Sequence, residues 1–411
     1  MTVIPTAHES FPEPLDPQLA SIELGYDAHE KYRLGQITDV QYLGHETFGM
    51  TAEEAPYAMY EVTVSDPYVE RYEPEVRAEV AAAEHKISEY ARQRREAGMW
   101  ERAPGKAYVD DSNEQTEKKV WGDPVSTNIH FGFTLQSPGL RVWREELIPS
   151  ATALACLADP DLSTTVTSPK TGEQYEIDEE SRKWWALCTD AVAIRSRATV
   201  MAELVKEFAN GQTGEYGEKV QTFNWMSIAC GTALPTMKAA VHSEIQPSVT
   251  LIDYDRTAMA ATEQLAAEIG FEGDITKRPM NIFSPDKMAK LKHELEAKGE
   301  LPELVDMMGI FEYTGNNLGV DPVPFLRSGY DLVAPGGTLI FGQMRDDRPV
   351  EDFTMGVVGW PYVEQRSPKE LMSMITDAGI DPKSVRMFMP SDGVYTVVAI
   401  DKPEASQAIA A

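Results

Sequence analysis

The residues best placed to do chemistry lie in the second half of the 411-residue chain. Asp253 closes the apolar run VTLIDYD, 22 residues after Gly231, which itself ends the run FNWMSIACG. That is about the interval at which an acid beyond a second strand reaches the two ribose hydroxyls of a nucleoside held at the first strand's turn. A carboxylate accepts both hydroxyl protons in charge-assisted bonds, which a neutral side chain does less well. Asp255 and Thr257 are better placed than Asp253 to cap the next helix, which leaves Asp253 for a ligand. Around Gly231, the small residues Ala229 and Ala233 let backbone N–H groups approach a ligand. Pro235 suits the first turn of a helix whose positive end faces the same place. A second candidate pair, Glu312 and Tyr313, follows the run ELVDMMGIF and could touch substrate or act as a base.

Positioning these groups requires a parallel sheet. After the polar linker GQTGEYGEK, the short apolar runs FNWMSIA, VTLIDYD, KRPMNIF, ELVDMMGIF and GTLIFGQM alternate with segments long enough for crossover helices. This texture predicts βαβ units and an α/β, doubly wound, mostly parallel sheet. The run SVRMFMPSDGVYTVVAID predicts a closing hairpin that adds a strand in the opposite direction. Upstream, residues 73–98, 141–160 and 179–211 read as helices, and STTVTSPKTGEQYEID as a small hairpin. The expected organisation is an irregular arm over residues 1–50 and a mainly helical, lid-forming region over 51–210. A catalytic domain over 211–403 and a flexible tail over 404–411 complete it.

A formal net charge of −29 argues against a general nucleic-acid binder, which needs clustered Lys and Arg. No window approaches the apolar length of a membrane helix, and the N-terminus does not read as a secretory signal. Three separated cysteines without a CxxC predict a reducing, cytoplasmic setting, with neither a disulfide framework nor a metal site.

The ordered set SIACGTA, LIDYD, RPMNIF, LVDMMGIFEYTG and LVAPGGTLIFGQM resembles the motifs of the class I S-adenosylmethionine-dependent methyltransferases, over roughly residues 190 to 402. The resemblance implies a seven-stranded Rossmann-like sheet and S-adenosyl-L-methionine as cofactor. Ala229, Cys230, Gly231 and Thr232 would line its methionine part, Asp253 would hold the ribose, and Tyr254 would pack beside the adenine. Asn281 and Ile282 would sit at the adenine edge, with Met308, Gly309 and Phe311 beneath the sulfonium. Two departures stand out. Ser227 replaces the usual acid, so contact to the methionine amino group would pass through a hydroxyl or the backbone. Ala233 replaces the third glycine, which is tolerated if the backbone there is right-handed.

The segment AVAIRSRATVMAEL is similar to an Arg-x-Arg helix that precedes the first motif in one group of these enzymes, so Arg195 or Arg197 would pair with the cofactor carboxylate. VWGDPVSTNIHFGF is similar to a lid stretch of several small-molecule and lipid methyltransferases, which makes His130 a candidate substrate contact or base. The aromatic insert over 345–367 suits a cover for the substrate pocket or a contact in a homodimer. The implied activity is in-line methyl transfer to a small or medium-sized acceptor in an enclosed pocket. Aminopropyl or aminocarboxypropyl transfer, and non-catalytic cofactor binding, are the alternatives.

Overall fold

The computed structural model describes residues 34–98, 138–162, 164–211, 222–243, 247–260, 262–315, 319–358, 360 and 363–404. The chain divides into two compact units, one of Met1–Gly35, Ser65–Arg195 and Arg348–Val363, the other of Gln36–Val64, Ser196–Asp347 and Glu364–Ala411.

In the first unit, the helices Pro74–Glu96, Ala151–Ala158 and Glu179–Leu187 accompany a small antiparallel hairpin. Ser150 and Asp178 cap the second and third of these helices by accepting the N–H of Ala153 and Ser181, as their types favour. An aromatic core forms around fully buried Trp143, whose ring centre lies 5.8 Å from Trp184 and 5.6 Å from Trp185. Phe353 joins it, 6.1 Å from Trp184, and Asp352 beside it accepts from Arg95 at 2.7 Å. Asp352 and Phe353 of the aromatic insert thus belong to this unit's own packing.

The second unit holds a nine-stranded sheet. Its strands are β1 (Gln36–Tyr42), β2 (Ala58–Ser65), β5 (Asn224–Ile228), β6 (Ser248–Asp253), β7 (Ile275–Pro279), β8 (Leu304–Met307), β9 (Thr338–Met344), β10 (Val385–Pro390) and β11 (Tyr395–Asp401). The hairpin strands β3 (Thr165–Thr167) and β4 (Gln174–Glu176) lie in the first unit. The order is β1-β2-β10-β11-β9-β8-β5-β6-β7. β5, β6, β7, β8 and β9 pair in parallel, and β11 runs against both β9 and β10. β8 and β9 are buried along their whole length, as continuous apolar runs in a sheet covered on both faces require.

The sequence predicted seven strands and left residues 36–65 partly irregular and partly helical, whereas β1 and β2 extend the sheet beyond β10. β2 pairs in parallel with β10, Met59 opposite Met387. β1 is exposed on both faces, so it has no apolar alternation to read. The core of this unit is one cluster in which Ile228, Ile252, Val305, Phe341 and Val398 bring the central strands together.

Candidate functional site

Reversal of strand order between β5–β6–β7 and β8–β9 opens a crevice at the C-terminal ends of β5 and β8. Because these strands are parallel, the turn after β5, Asp253 at the end of β6 and residues 308–313 after β8 share one edge of the sheet.

The turn keeps the backbone shape of a three-glycine loop with only one glycine. Ala229, Gly231 and Ala233 all adopt the left-handed conformation, at φ 58°, 54° and 56°. Ala233 therefore differs from expectation: it is the left-handed residue preceding the helix Leu234–His242, not a right-handed one. This conformation costs an L-residue about 1–2 kcal/mol, so the turn is held against local preference by its surroundings. Ala229 N–H donates to Ile252 O at 2.8 Å, and Gly231 N–H donates to Asp253 Oδ2 at 2.8 Å. Asp253 Oδ1 accepts from Asp255 N–H at 2.9 Å, and Asp255 caps the following helix by accepting Ala258 N–H at 3.0 Å. Asp253 is buried, which raises its pKa, with the Asp255 and Gly231 N–H bonds opposing the rise. Tyr254 N–H also bonds to this carboxylate, which leaves it acceptor capacity for a ligand hydroxyl.

Thr232 is buried and its carbonyl accepts from Thr262 at 3.3 Å. Cys230 is half-buried, and burial first, then nearby acids, push its thiol well above the usual range, so it is no nucleophile. Tyr254 is 57% exposed beside Asp253, an aromatic face open to a base. Asn281 directs its Oδ1 to Phe283 N–H at 3.0 Å, and Ile282 lies in the core beneath it.

Ser227 does not face a ligand. Its hydroxyl donates to Asp306 Oδ1 at 3.1 Å and lies 3.1 Å from Thr236 Oγ1, while Trp225 Nε1 donates to Asp306 Oδ2 at 2.7 Å. Ser227 and Asp306 are register partners on β5 and β8. Burial pushes Asp306 up to about 7, against the stabilising bonds from Ser227, Trp225 and Met308 N–H. Asp306 escaped the sequence reading; its only signal was a lone acid in the apolar run LVDMM.

Beyond β8, Met308 and Gly309 are half-buried at the crevice edge. Phe311 is not: fully buried, its ring packs at a tilt with centres 4.7 Å from Phe341 and 5.4 Å from Phe325, so it supports the turn from the core instead of lying beneath a ligand. Glu312 is buried with Oε1 3.7 Å from Arg197 Nη1. Burial raises its pKa, and Arg197 and Arg366 oppose the rise. Arg366 locks the turn by donating to Phe311 O at 3.0 Å, Gln343 Oε1 at 2.6 Å and Thr314 Oγ1 at 3.2 Å. Tyr313 is half-buried.

Arg195 is a structural residue of the first unit. Its guanidinium donates to Asp66 at 2.7 Å and to the carbonyls of Leu157, Trp185 and Ala186 at 2.8, 3.1 and 2.5 Å, which commits it away from any cofactor. Arg197 lies in the second unit instead. His130 falls outside the described residues. Among the described residues no group of acids, histidines and cysteines could hold a metal ion, and no helix is long and apolar enough to cross a membrane.

No family model and no curated protein matches the chain. Solved structures share part of its architecture. An O-methyltransferase family protein from Burkholderia thailandensis aligns at 17% identity and a TM-score of 0.38, over 56% of this chain and 61% of its own length. A possible exported protein from Bordetella parapertussis aligns at 14% identity and a TM-score of 0.49, over 79% of this chain and 97% of its own. The magnesium protoporphyrin IX methyltransferase of Synechocystis, solved with bound SAH, aligns at 13% identity and a TM-score of 0.37, over 52% of this chain and 87% of its own. The chain spans less than two thirds of the first of these, and at such distances the strand order of the chain itself carries the assignment. Seven strands in the order β7-β6-β5-β8-β9-β11-β10, with β11 reversed and an acid closing β6, make this a doubly wound, Rossmann-like α/β sheet.

Proposed function

We propose that the chain binds S-adenosyl-L-methionine and catalyses methyl transfer to a small or medium-sized acceptor. The observation that carries this reading is the bond from Gly231 N–H to Asp253, which makes the turn and the ribose acid one preorganised piece at the switch point. The residues present fit the cofactor: Asp253 keeps acceptor capacity for a ribose hydroxyl, Tyr254 offers an exposed ring, and Ala229–Thr232 is a narrow backbone edge. When bound, the cofactor would supply an electrophilic methyl on a sulfonium.

The chain's own part is alignment and exclusion of water, which suffice for much of an in-line displacement. Asp253 orients the nucleoside, and Met308 and Gly309 bound the crevice past β8. Glu312, whose proton affinity is raised by burial, is suited to take a proton from an oxygen or protonated nitrogen acceptor. A second reading, non-catalytic binding, is favoured by the alanines in the turn and by Ser227 being turned to Asp306.

Titration with S-adenosylhomocysteine tests the first claim. The parent should bind, and Asp253→Ala should bind about 10- to 100-fold more weakly, the worth of hydrogen bonds to a charged group. An unchanged affinity, or a parent that does not bind, refutes it. Binding without transfer of labelled methyl to any member of a small-molecule library supports the second reading.

A further inference from the structure

The two edges of the nine-stranded sheet are built differently. β7 closes one edge with the sequence ITKRP, where Lys277 pairs with Glu263, Arg278 pairs with Glu294 and Pro279 has no N–H to offer. Charged side chains and proline are the usual means by which an edge strand is kept from pairing with another chain. β1 closes the other edge with QITDVQY, which has no proline, lysine or arginine and a single acid, Asp39. All of its residues but Ile37 are exposed, and among the described residues no strand pairs its outer side.

Contacts with β2 fix which way β1 faces. Leu43 N–H donates to Met59 O at 2.9 Å and the Tyr42 ring lies 6.1 Å from that of Tyr60, whereas Thr38 Oγ1 donates to Thr63 O at 3.3 Å. The two strands therefore run antiparallel, with Leu43 opposite Met59 and Val40 opposite Val62. Backbone groups alternate along such a pair, so Leu43, Gln41 and Asp39 turn theirs to β2, and Thr38, Val40 and Tyr42 turn theirs to the open edge. Val40 and Tyr42 are 52% and 64% exposed, on the face where Val62 is buried and Tyr60 stacks 5.4 Å from Phe388.

We propose that β1 is a self-association edge, pairing antiparallel with β1 of a second copy about a two-fold axis through Val40. A two-fold contact uses the same patch twice, so the strand must complement itself. Outward backbone groups must meet outward ones, which leaves registers centred on single residues. The overlap of all seven residues, centred on Asp39, sets Asp39 against itself, and like charges directly opposite destabilise a pair. Moving the axis to Val40 keeps residues 38–42 paired and sets Asp39 against Gln41 of the second copy, an amide that can donate to the carboxylate. Thr38 then faces Tyr42, and Val62 and Val40 of each copy form one apolar row that covers the exposed Val40. Centring on Gln41 would leave only residues 40–42 paired. Glu61, opposite Gln41 on β2, and Asp39 of the second copy lie two strand spacings apart, about 10 Å, so salt strengthens the pair by screening them. This inference does not depend on the cofactor reading.

Sedimentation of the full chain over a concentration series, at low and at physiological salt, reads the association. The parent should form a dimer that tightens as salt is raised. Val40→Pro should lose it: the change removes an outward N–H and leaves the bonds to β2 in place, so the thermal midpoint should stay near the parent's. Val40→Lys should lose the dimer through like charges at the axis, and it serves where Val40→Pro fails to fold. Crosslinking reads the register. Oxidised Val40→Cys should give a disulfide-linked dimer, since Cα atoms paired across the axis stand about 5.5 Å apart. Thr38→Cys should not, because its two copies lie roughly 14 Å apart in this register. A parent that stays monomeric at high concentration overturns the proposal, whether the edge is left free or is taken by another segment of this chain or by a different protein. A dimer that survives both Val40→Pro and Val40→Lys, or that Thr38→Cys traps and Val40→Cys does not, overturns it as well.

Discussion

Replacing Ala229 by glycine tests whether the turn after β5 is held in a strained shape. At φ 58° the alanine carries a cost of about 1–2 kcal/mol that glycine would not. Glycine loses more freedom on folding, which returns about 0.5–1 kcal/mol of that gain. Because Ala229 is half-buried, little packing is lost with its methyl, and the net expectation for Ala229→Gly is a gain of about 0.5–1 kcal/mol. Ala233 is a control: it has the same geometry at φ 56° but is 0% exposed. Removing its methyl forfeits about 0.8 kcal/mol of burial, so Ala233→Gly should be close to neutral. Ala229→Val, a branched residue in the left-handed region, should be clearly destabilising. The assay is the thermal midpoint of each variant at one pH and salt, with the parent run alongside. The order Gly above Ala above Val at position 229 supports the strained turn. If Ala229→Gly lowers the midpoint as an ordinary alanine-to-glycine change does, the backbone there is not left-handed and the reasoning fails. Since the glycine turn is the shape a ligand's close approach favours, Ala229→Gly should also bind S-adenosylhomocysteine at least as tightly as the parent.

Other perturbations address the buried ionisable groups. Asp306 and Glu84 are each pushed up to about 7, mainly by burial, so both fold most favourably as neutral acids. Their contribution is complete below their ordinary carboxylate values and is lost as pH rises to about 7; it follows that stability to urea should fall between about pH 4 and 7 and level off above that. Asp306→Asn should flatten that decline by a few kcal/mol, at about 1.4 kcal/mol for each tenfold change in proton affinity, and Glu84→Gln should remove a further part. Urea midpoints that decline as steeply in both variants as in the parent would contradict the assignment. Arg195→Met should cost about 3–5 kcal/mol, because it leaves Asp66 buried without its cation, yet should leave S-adenosylhomocysteine affinity unchanged in the folded fraction. A selective loss of affinity, without loss of stability, would return Arg195 to the cofactor.

Much of the fold was legible because parallel strands buried on both faces write themselves as short apolar runs. VTLID and TLIFGQM could be placed without help from the rest of the chain. β1 could not: QITDVQY is exposed on both faces, so burial imposes no period on it. The place of Asp253 was legible because an interval along the chain, 22 residues from Gly231, sets it at the end of β6 beside the turn after β5. Arg195 and Arg197 were not separable, since residues two apart point to nearly opposite sides of a helix and the sequence does not say which side is which. Phe311 was misplaced for a related reason. A residue just past a strand end can turn toward a ligand or back into the core, and contacts with Phe325 and Phe341 decide for the core.

The missing acid of the first motif shows why reading one strand at a time has a ceiling. Ser227 looks like a loss, but its register partner on β8 is Asp306, so a carboxylate is present one strand away at the same level of the sheet. That carboxylate accepts from Ser227, Trp225 and Met308 N–H, which ties β5 to the segment that leaves β8. Its bonds are directed within the protein, so it braces the two walls of the crevice. With the brace inside the sheet, the binding proposed above falls to groups at its edge, Asp253 first among them. Such a division of labour makes Asp306→Asn a stability variant and Asp253→Ala a binding variant. Measured on the same preparation, the two should separate cleanly, with urea midpoints moving for one and S-adenosylhomocysteine affinity for the other.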